Sequence, residues 1–186
     1  MVSKISFFVA TSLDGFIAKK DGSIDWIKNS IERFPSNQDN GYQTFIESID
    51  IIVMGRNTFE TVITLDKWPY ENKQVMVLTS MVLTSMKLDI PLQLNNKVSV
   101  SSASPTELIN KLSNENIKNV YVDGGITIQN FLSCKLVDEI TITIFPIILG
   151  EGRPLFGPVI NEILLEPIKK IVFDNRFVQL KYRIIK

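Results

Sequence analysis

The sequence predicts an α/β domain: a mostly parallel sheet with helices on both faces, closed at one edge by an antiparallel C-terminal hairpin. Short apolar runs alternate with segments of helical period as far as Asp138, which is typical of this class. After Asp138 the pattern changes to strands without long helices. Val178, Leu180, Tyr182 and Ile184 then alternate with polar residues, which indicates an antiparallel strand with one wet face.

The predicted strands are short and mostly apolar. They cover residues 4–10, 51–54, 74–78, 98–101, 120–122, 139–145 and 168–173, followed by the alternating stretch 178–184. The last two are expected to form the hairpin. Its turn is placed near Asp174 and Asn175, residue types that favour turns.

Two helices carry clear signals. Apolar residues recur at helical spacing between Tyr42 and Ile49. Further along, Ser-Pro-Thr-Glu at 104–107 offers a capping box with proline at the first helical position, so a helix is expected to begin at Pro105.

Five residues, VLTSM, are repeated in tandem at 77–86. The favoured interpretation is a small insertion that lengthens a surface connection, and the alternative is a longer strand. Only the first copy continues directly from residues 74–76, so strand register and any function are assigned to that copy.

Length and charge limit the possible partners. With 186 residues and 45% apolar content, the chain suits one domain, residues 1–186, without a linker. Twenty basic and 20 acidic side chains give a formal charge of zero, so the field that would attract nucleic acid or anionic lipid is missing. No apolar run approaches the roughly 20 residues that span a bilayer. The expected partner is a small molecule, with no nucleic acid and no membrane.

Residue usage narrows the chemistry. The lone Cys134 cannot form an internal disulfide, and the N-terminal stretch lacks the features of a secretory signal, so a cytoplasmic location is expected. The absence of histidine removes Ser-His and Cys-His nucleophile pairs and leaves few possible zinc ligands. Hydrolase and metalloenzyme functions are therefore disfavoured, and no metal site is expected.

In the stretch IIVMGRNTFE, residues 51–60, a predicted buried strand is followed directly by glycine and arginine. A parallel strand followed by glycine and a helix start places unpaired N–H groups, and the positive end of the helix dipole, at the carboxyl edge of the sheet. Phosphates bind at this edge. Arg56 adds a guanidinium that can bind a phosphate through two hydrogen bonds, and Thr58 adds a hydroxyl in the first helical turn.

Two further strand ends carry similar residues. In VYVDGGITIQNF, residues 120–131, two glycines precede a helix whose first turn contains Thr127, and glycines allow the backbone to approach a pyrophosphate. Leu78, Thr79 and Ser80 end a third strand. Each motif alone also fits an ordinary turn or loop, but together they suit a dinucleotide across the sheet edge. Because no G-x-G-x-x-G is present, a standard Rossmann site is not expected.

The stretches FFVATSLDGFIA, VMGRNTFE, VLTS and VYVDGGITIQNFL resemble, in order and spacing, the dihydrofolate reductase-like fold. SLDGFIA and FPIILGEGRPLF are more similar to the branch that contains the reductase domain of the bifunctional riboflavin-biosynthesis protein, the RibD C-terminal domain. The resemblance implies a three-layer αβα fold, a mixed sheet of about eight strands, NADPH as cofactor and a homodimer.

The resemblance also implies functional residues. Those expected to bind the adenosine, its 2′-phosphate, the pyrophosphate or the nicotinamide are Ala10, Ile17, Gly55, Arg56, Asn57, Thr58, Leu78, Thr79, Ser80, Asp123, Gly124, Gly125, Ile126, Thr127 and Ile128. Those expected near the reacting atoms are Ser12, Asp14, Asp25 and Trp26.

A reductase needs a proton as well as the cofactor's hydride. Asp14 is the first choice of proton donor, with Asp25 or an ordered water as alternatives. Asp14 equally fits a simple Asp-Gly turn. Asp25 and Trp26 also fit the N-cap and hydrophobic staple of a short helix.

Departures from the family leave the substrate open. Folate-reducing members carry a carboxylate on a helix beyond the tryptophan matched by Trp26, where this chain has Ile31 and Glu32, and Glu32 is expected on an exposed helix face. Arg33 is the only arginine between the first strand and Arg56, although riboflavin-branch reductases use additional arginines.

The expected function is an NADPH-dependent reductase that transfers hydride to a C=O or C=N of a small heterocyclic or sugar-like substrate. It would be similar to 5-amino-6-(5-phosphoribosylamino)uracil reductase of riboflavin biosynthesis. The alternatives are a true dihydrofolate reductase and a non-catalytic dinucleotide-binding protein.

Overall fold

The computed structural model describes residues 2–38, 40–70, 72–79, 88–158 and 162–186. Its elements in chain order are β1 (Lys4–Thr11), β2 (Phe16–Ala18), α1 (Asp25–Arg33), α2 (Tyr42–Glu47), β3 (Ile51–Gly55), α3 (Arg56–Val62), β4 (Gln74–Leu78), β5 (Val98–Ser101), α4 (Pro105–Asn114), β6 (Asn119–Asp123), α5 (Gly125–Ser133), β7 (Glu139–Ile144), β8 (Arg153–Pro154), β9 (Leu165–Val172) and β10 (Val178–Ile184). A short 3-10 turn, Leu92–Leu94, precedes β5.

The predicted mixed sheet is confirmed. Within the described residues, eight strands lie in the order β5-β4-β3-β6-β1-β7-β10-β9. The pairings from β5 to β7 are parallel, and β10 pairs antiparallel with both β7 and β9. The hairpin turn lies where it was predicted, since Phe173 N donates to the Phe177 carbonyl oxygen at 2.9 Å across Asp174 and Asn175.

Helices cover both faces of the central strands. Ile51 to Met54 of β3 and Val120 to Val122 of β6 are buried at every position. Continuous burial of this kind requires cover on both faces. The main core joins α2 to α5 to the sheet, and a smaller core packs α1 against the carboxyl end of β7 and the C-terminal hairpin.

The capping box predicted at the start of α4 is present. Ser104 Oγ accepts from Glu107 N at 3.4 Å, and the Glu107 carboxylate accepts from Ser104 N at 2.9 Å. Pro105 occupies the first turn as expected. The local sequence alone was sufficient to predict this helix start, because the hydrogen-bonding partners of the capping box lie within four residues of each other.

A second, two-stranded sheet was not predicted. It pairs β2 with β8, matching Phe16 to Pro154 and Ala18 to Arg153. Strands of three and two residues are too short to show a period in the sequence. This small sheet joins the loop after β1 to the loop after β7.

The prediction of one wet face on the C-terminal strands is wrong in two respects. Gln179, predicted to face water, is buried, and its Nε2 donates to Thr143 Oγ1 and to the Asn40 carbonyl oxygen, both at 3.0 Å. β9 is exposed along nearly its whole length. It begins at Leu165, three residues before the predicted start, because pairing with β10 continues beyond the apolar run.

The VLTSM tandem is described only in part. Val77, Leu78 and Thr79 of the first copy belong to β4 and the residue that follows it. Residues 80–87, which include Ser80 and the second copy, lie outside the described residues. Both interpretations of the repeat stay predictions.

Across the described ranges, no helix is both long and apolar enough to cross a membrane.

Candidate functional site

A cavity of about 1150 Å³ runs along the carboxyl edge of the sheet. The ends of β1, β3, β4 and β6 contribute residues that the sequence analysis singled out. These are Ala10, Gly55, Arg56, Asn57, Thr58, Leu78, Thr79, Asp123, Gly124, Gly125, Ile126 and Thr127, joined by Ile17 from β2. The strand ends therefore meet in one place, as parallel strands predict.

Among the predicted cofactor residues that the structure describes, one does not line the cavity. Ile128 is fully buried in the main core, because it lies on the face of α5 that packs on the sheet. Ser80 lies outside the described residues.

Two strand–glycine–helix units pack against each other at the centre of the cavity wall. A Cβ on Gly55 would lie 2.8 Å from Thr127 Oγ1, and a Cβ on Gly124 would overlap Thr58 Oγ1. Each threonine stands three residues after the glycine of its own unit. The first helical turn of each unit thus occupies the space left by the glycine of the other, and the N-termini of α3 and α5 are held side by side.

The glycines also leave these helix N-termini uncapped. The N-cap residues of α3 and α5 are Gly55 and Gly124, and neither helix has a side-chain capping bond. The first N–H groups of a helix need partners from outside the helix. At this edge they can serve an anionic ligand, which the helix dipoles also favour.

Arg56 lies beside these N-termini and lines the cavity. Its Nε donates to Glu60 Oε1 at 2.6 Å, one helical turn further along α3. This i,i+4 ion pair orients the guanidinium at the rim of the cavity.

Two loops form the wall beyond the end of β1. The loop that contains β2 supplies Ile17 and Gly22, and the loop that contains β8 supplies Arg153 and Pro154. A Cβ on Gly22 would lie 2.8 Å from the Arg153 guanidinium, so the guanidinium packs directly on the glycine. Gly22 has φ +92°, a conformation that glycine adopts without strain.

Asp14 joins these two loops. Its carboxylate accepts from Leu149 N at 3.1 Å and from Gly150 N at 2.8 Å. A hydrogen bond with Ser12, together with these backbone N–H groups, lowers the pKa of the Asp14 carboxyl. The side chain is exposed, and Asp14 is not among the residues that line the cavity.

The other predicted catalytic residues also lie outside the main cavity. Ser12 is buried, and its Oγ accepts from Phe16 N at 3.0 Å. Asp25 is exposed and pairs with Lys19 at 2.9 Å. Trp26 is buried against Phe145 and lines a separate cavity of about 310 Å³. None of the four predicted catalytic residues is therefore among those that line the main cavity, although Ala10 packs against the smaller core that contains Trp26.

The main cavity instead contains an acid that the sequence analysis had assigned only to cofactor binding. Asp123, the last residue of β6, accepts from Tyr70 Oη at 2.7 Å through one carboxylate oxygen and from Gly124 N at 2.8 Å through the other. Burial raises the pKa of the Asp123 carboxyl, and these hydrogen bonds act in the opposite direction. Tyr70 had no signal in the sequence, because it lies in an irregular segment after α3.

Several other residues that line the cavity were missed, among them Ser102, Ser104 and Arg153. The two serines follow β5, so the rule applied to the other strand ends would have found them. Arg153 could not have been found in that way, since its placement depends on the unpredicted pairing of β2 with β8. No group of three or more potential metal ligands occurs in the part of the chain that the structure describes.

The fold and the site define a family. The chain belongs to the RibD C-terminal domain family, whose model matches residues 3–178. It is 33% identical over 184 residues to the uncharacterized protein YwjB of Bacillus subtilis (strain 168), with 98% of each chain covered.

Solved structures agree with this membership. The crystal structure of a putative riboflavin biosynthesis protein from Shewanella sp. PV-4 has TM-score 0.87 and 38% identity, covering 98% of this chain and 99% of that one. A dihydrofolate reductase from Enterococcus faecalis, complexed with NADP(H) and RAB-propyl, shares the fold at TM-score 0.63 and 18% identity, covering 98% and 97%. The resemblance to the dihydrofolate reductase-like fold and to its RibD branch is therefore confirmed.

The contact between the two strand–glycine–helix units predicts a large effect for Gly124→Ala. Gly124 has φ +88° and ψ 137°, a region that costs other residues about 1–3 kcal/mol, and the new Cβ would also overlap Thr58. The matched control is Gly41→Ala, where φ is +76° and nothing lies within 4 Å of the added Cβ. We expect urea denaturation to show a larger loss of unfolding free energy for Gly124→Ala than for the control. Equal losses in the two variants would contradict the packing described.

Proposed function

We propose that this chain is an NADPH-dependent reductase that delivers hydride to a C=O or C=N carbon of a small heterocyclic or sugar-like substrate. The observation that carries the proposal is the single cavity in which all but one of the described predicted cofactor residues meet. Membership of the RibD C-terminal domain family supports a reductase. The NADP(H) complex of a protein with the same fold supports the cofactor.

The residues present fit a dinucleotide phosphate. An added Cβ would lie 2.8 Å from Thr127 Oγ1 at Gly55 and would overlap Thr58 Oγ1 at Gly124, so a side chain at either glycine would displace the neighbouring threonine beside a helix N-terminus. The N–H groups at the start of α3 and α5 would hold the pyrophosphate. Arg56 would hold the 2′-phosphate, with Leu78 and Thr79 beside the adenosine.

When bound, NADPH supplies the hydride. The chain would position the cofactor and the substrate relative to each other and exclude water from the site. Ala10 at the end of β1 and Ile17 of β2 would bound the nicotinamide, and Ile24 and Ile27 add apolar side chains to the same cavity. Asp14 would act by holding the two loops together, since its carboxylate is occupied by the N–H groups of the neighbouring loop.

Folate reduction receives less support. Glu32 of α1 is exposed and is not among the residues that line the main cavity. We therefore place the substrate nearer to those of the riboflavin branch, in agreement with the similarity to the putative riboflavin biosynthesis protein.

We also propose a homodimer that forms through the C-terminal hairpin. Val172 and Leu165 of β9 are exposed, and they lie directly opposite Val178 and Ile184 of β10. Residues directly opposite each other share one face of a sheet. On this face Ile184 packs partly against the main core, whereas Val172 and Leu165 are left exposed.

A second copy would pack on this face of the hairpin and not on its edge. Pro167 carries no N–H, Lys169 and Lys170 are exposed, and the register of the strand pair shifts beside them. Each of these features opposes edge-to-edge pairing of strands.

The role of Arg56 predicts cofactor selectivity. Loss of charge-assisted hydrogen bonds to a 2′-phosphate in Arg56→Ala should weaken NADPH binding about tenfold or more, and NADH binding should change less. The matched control is Arg183→Ala, which breaks another Arg–Glu pair, that of Arg183 with Glu166. Fluorescence titration with NADPH and with NADH measures the affinity of each variant for the two cofactors. Equal losses of affinity for NADPH and NADH would show that Arg56 does not bind the 2′-phosphate.

The proposed dimer predicts that Val172→Lys yields a folded monomer. Val172 is 66% exposed in the single chain, so the lysine should be tolerated there, whereas burying its charge between two copies would be unfavourable. Leu92→Lys is the matched control, since Leu92 is 87% exposed and lies in the 3-10 turn away from the hairpin. Sedimentation velocity at micromolar concentration should show a dimer for wild type and the control. A wild-type monomer of 21.1 kDa would contradict the proposal.

A further inference from the structure

Gln129 connects α5 to the small sheet that β2 and β8 form. Its Nε2 donates to the Pro154 carbonyl oxygen at 3.2 Å and to the Leu155 carbonyl oxygen at 3.1 Å. Gln129 is half-buried and is among the residues that line the main cavity. We propose that Gln129 is a positioning residue, which holds the small sheet where it can bound the nicotinamide half of NADPH. The inference rests on the proposed reductase function.

The two hydrogen bonds fix successive peptide groups of the loop that contains β8. A glutamine amide has two N–H donors, and those of Gln129 go to neighbouring carbonyl groups. The chain meets the same amide again at Gly157, where an added Cβ would lie 2.6 Å from Gln129 Oε1. The contacts of this one side chain therefore extend from Pro154 to Gly157.

The same face of α5 also touches both strands of the small sheet. Gly125 lies in the first turn of α5, four residues before Gln129, and residues four apart share one face of a helix. An added Cβ on Gly125 would lie 2.9 Å from Ile17 Cδ1 of β2 and 3.3 Å from the Pro154 carbonyl oxygen of β8. It would lie 3.9 Å from Gln129 Nε2. The small sheet and Gln129 therefore meet at the start of α5, where the proposed pyrophosphate site lies.

The other contacts of the β8 loop hold it to different parts of the chain. The Asp14 carboxylate accepts from two N–H groups of this loop, and Leu155 N donates to the Gly15 carbonyl oxygen at 3.0 Å. These bonds join the β8 loop to the β2 loop. The Leu155 side chain is buried in the main core. Loss of the Gln129 amide should therefore leave the loop folded while loosening its contact with α5.

A positioning role and a purely stabilising role predict different effects on binding. If Gln129 only stabilised the fold, its loss would affect all ligands of the cavity alike. If it positions the small sheet, its loss would weaken mainly those ligands that reach this sheet. In the proposed complex the adenosine lies beside β4 and the nicotinamide lies beside Ile17 of β2. The nicotinamide half is therefore the part of the cofactor whose binding should depend on Gln129.

The test compares NADPH with adenosine 2′,5′-bisphosphate, a probe that retains the adenosine and the 2′-phosphate but lacks the nicotinamide. Isothermal titration calorimetry measures both affinities for wild type, Gln129→Met and Gln43→Met. Methionine keeps an unbranched side chain and removes the amide. Gln43 is the matched control because it also lies on a helix and its Nε2 also donates, to Glu47 Oε1 at 2.7 Å, but it is not among the residues that line the main cavity. Hydrogen–deuterium exchange of residues 152–158 is measured without ligand.

We expect Gln129→Met to weaken NADPH binding about fivefold or more, because two hydrogen bonds that order the wall are lost. Its affinity for the bisphosphate should stay within about twofold of wild type, which also shows that the variant is folded. Residues 152–158 should exchange faster in Gln129→Met than in wild type. Gln43→Met should match wild type in all three measurements.

Equal losses of affinity for NADPH and for the bisphosphate in Gln129→Met would overturn the inference, and so would an unchanged affinity for NADPH. Exchange of residues 152–158 at the wild-type rate in Gln129→Met would overturn it as well. Failure of wild type to bind either ligand would contradict the proposed function instead. The exchange of the ligand-free proteins tests the contact between Gln129 and the β8 loop in either case.

Discussion

The site depends on the packing of two glycine–threonine pairs between neighbouring parallel strands. Gly55 leaves space for Thr127 and Gly124 leaves space for Thr58. This arrangement brings two helix N-termini together at one edge of the sheet, where β3 and β6 are directly paired. A protein of zero formal charge has no strong long-range field with which to attract an anion. Local donors at this edge can provide the attraction instead.

The rest of the cavity is built around that edge by contacts distant in sequence. The pairing of β2 with β8 and the hydrogen bonds of Asp14 fix two long loops as one wall. The Asp123 carboxyl provides a polar group of opposite character to the uncapped helix N-termini beside it. The cavity therefore holds two uncapped helix N-termini next to one buried carboxyl group, which accepts from Tyr70 and from Gly124.

Local signals in the sequence were sufficient to predict most of the fold. Apolar runs predicted the strands of the main sheet, and the capping box at Ser104 predicted the start of α4, because their evidence lies within a few residues. Gln179 was misplaced because its burial depends on Thr143 and Asn40, which are distant in sequence. The strand-end rule predicted that the ends of β3, β4 and β6 meet, and their residues do line one cavity. It could not show that Asp14 faces another loop, or that Tyr70 meets Asp123, since both facts depend on irregular segments.

Hydrogen–deuterium exchange with and without NADPH tests the central claim most directly, because it reports the backbone N–H groups themselves. Peptides that cover the starts of α3 and α5, residues 55–62 and 124–133, should exchange more slowly when NADPH is present. A peptide from β9, residues 165–172, should be unaffected and serves as the internal reference. Protection at both helix starts is the result that the account predicts. Saturation with NADPH that leaves both segments unprotected would contradict it.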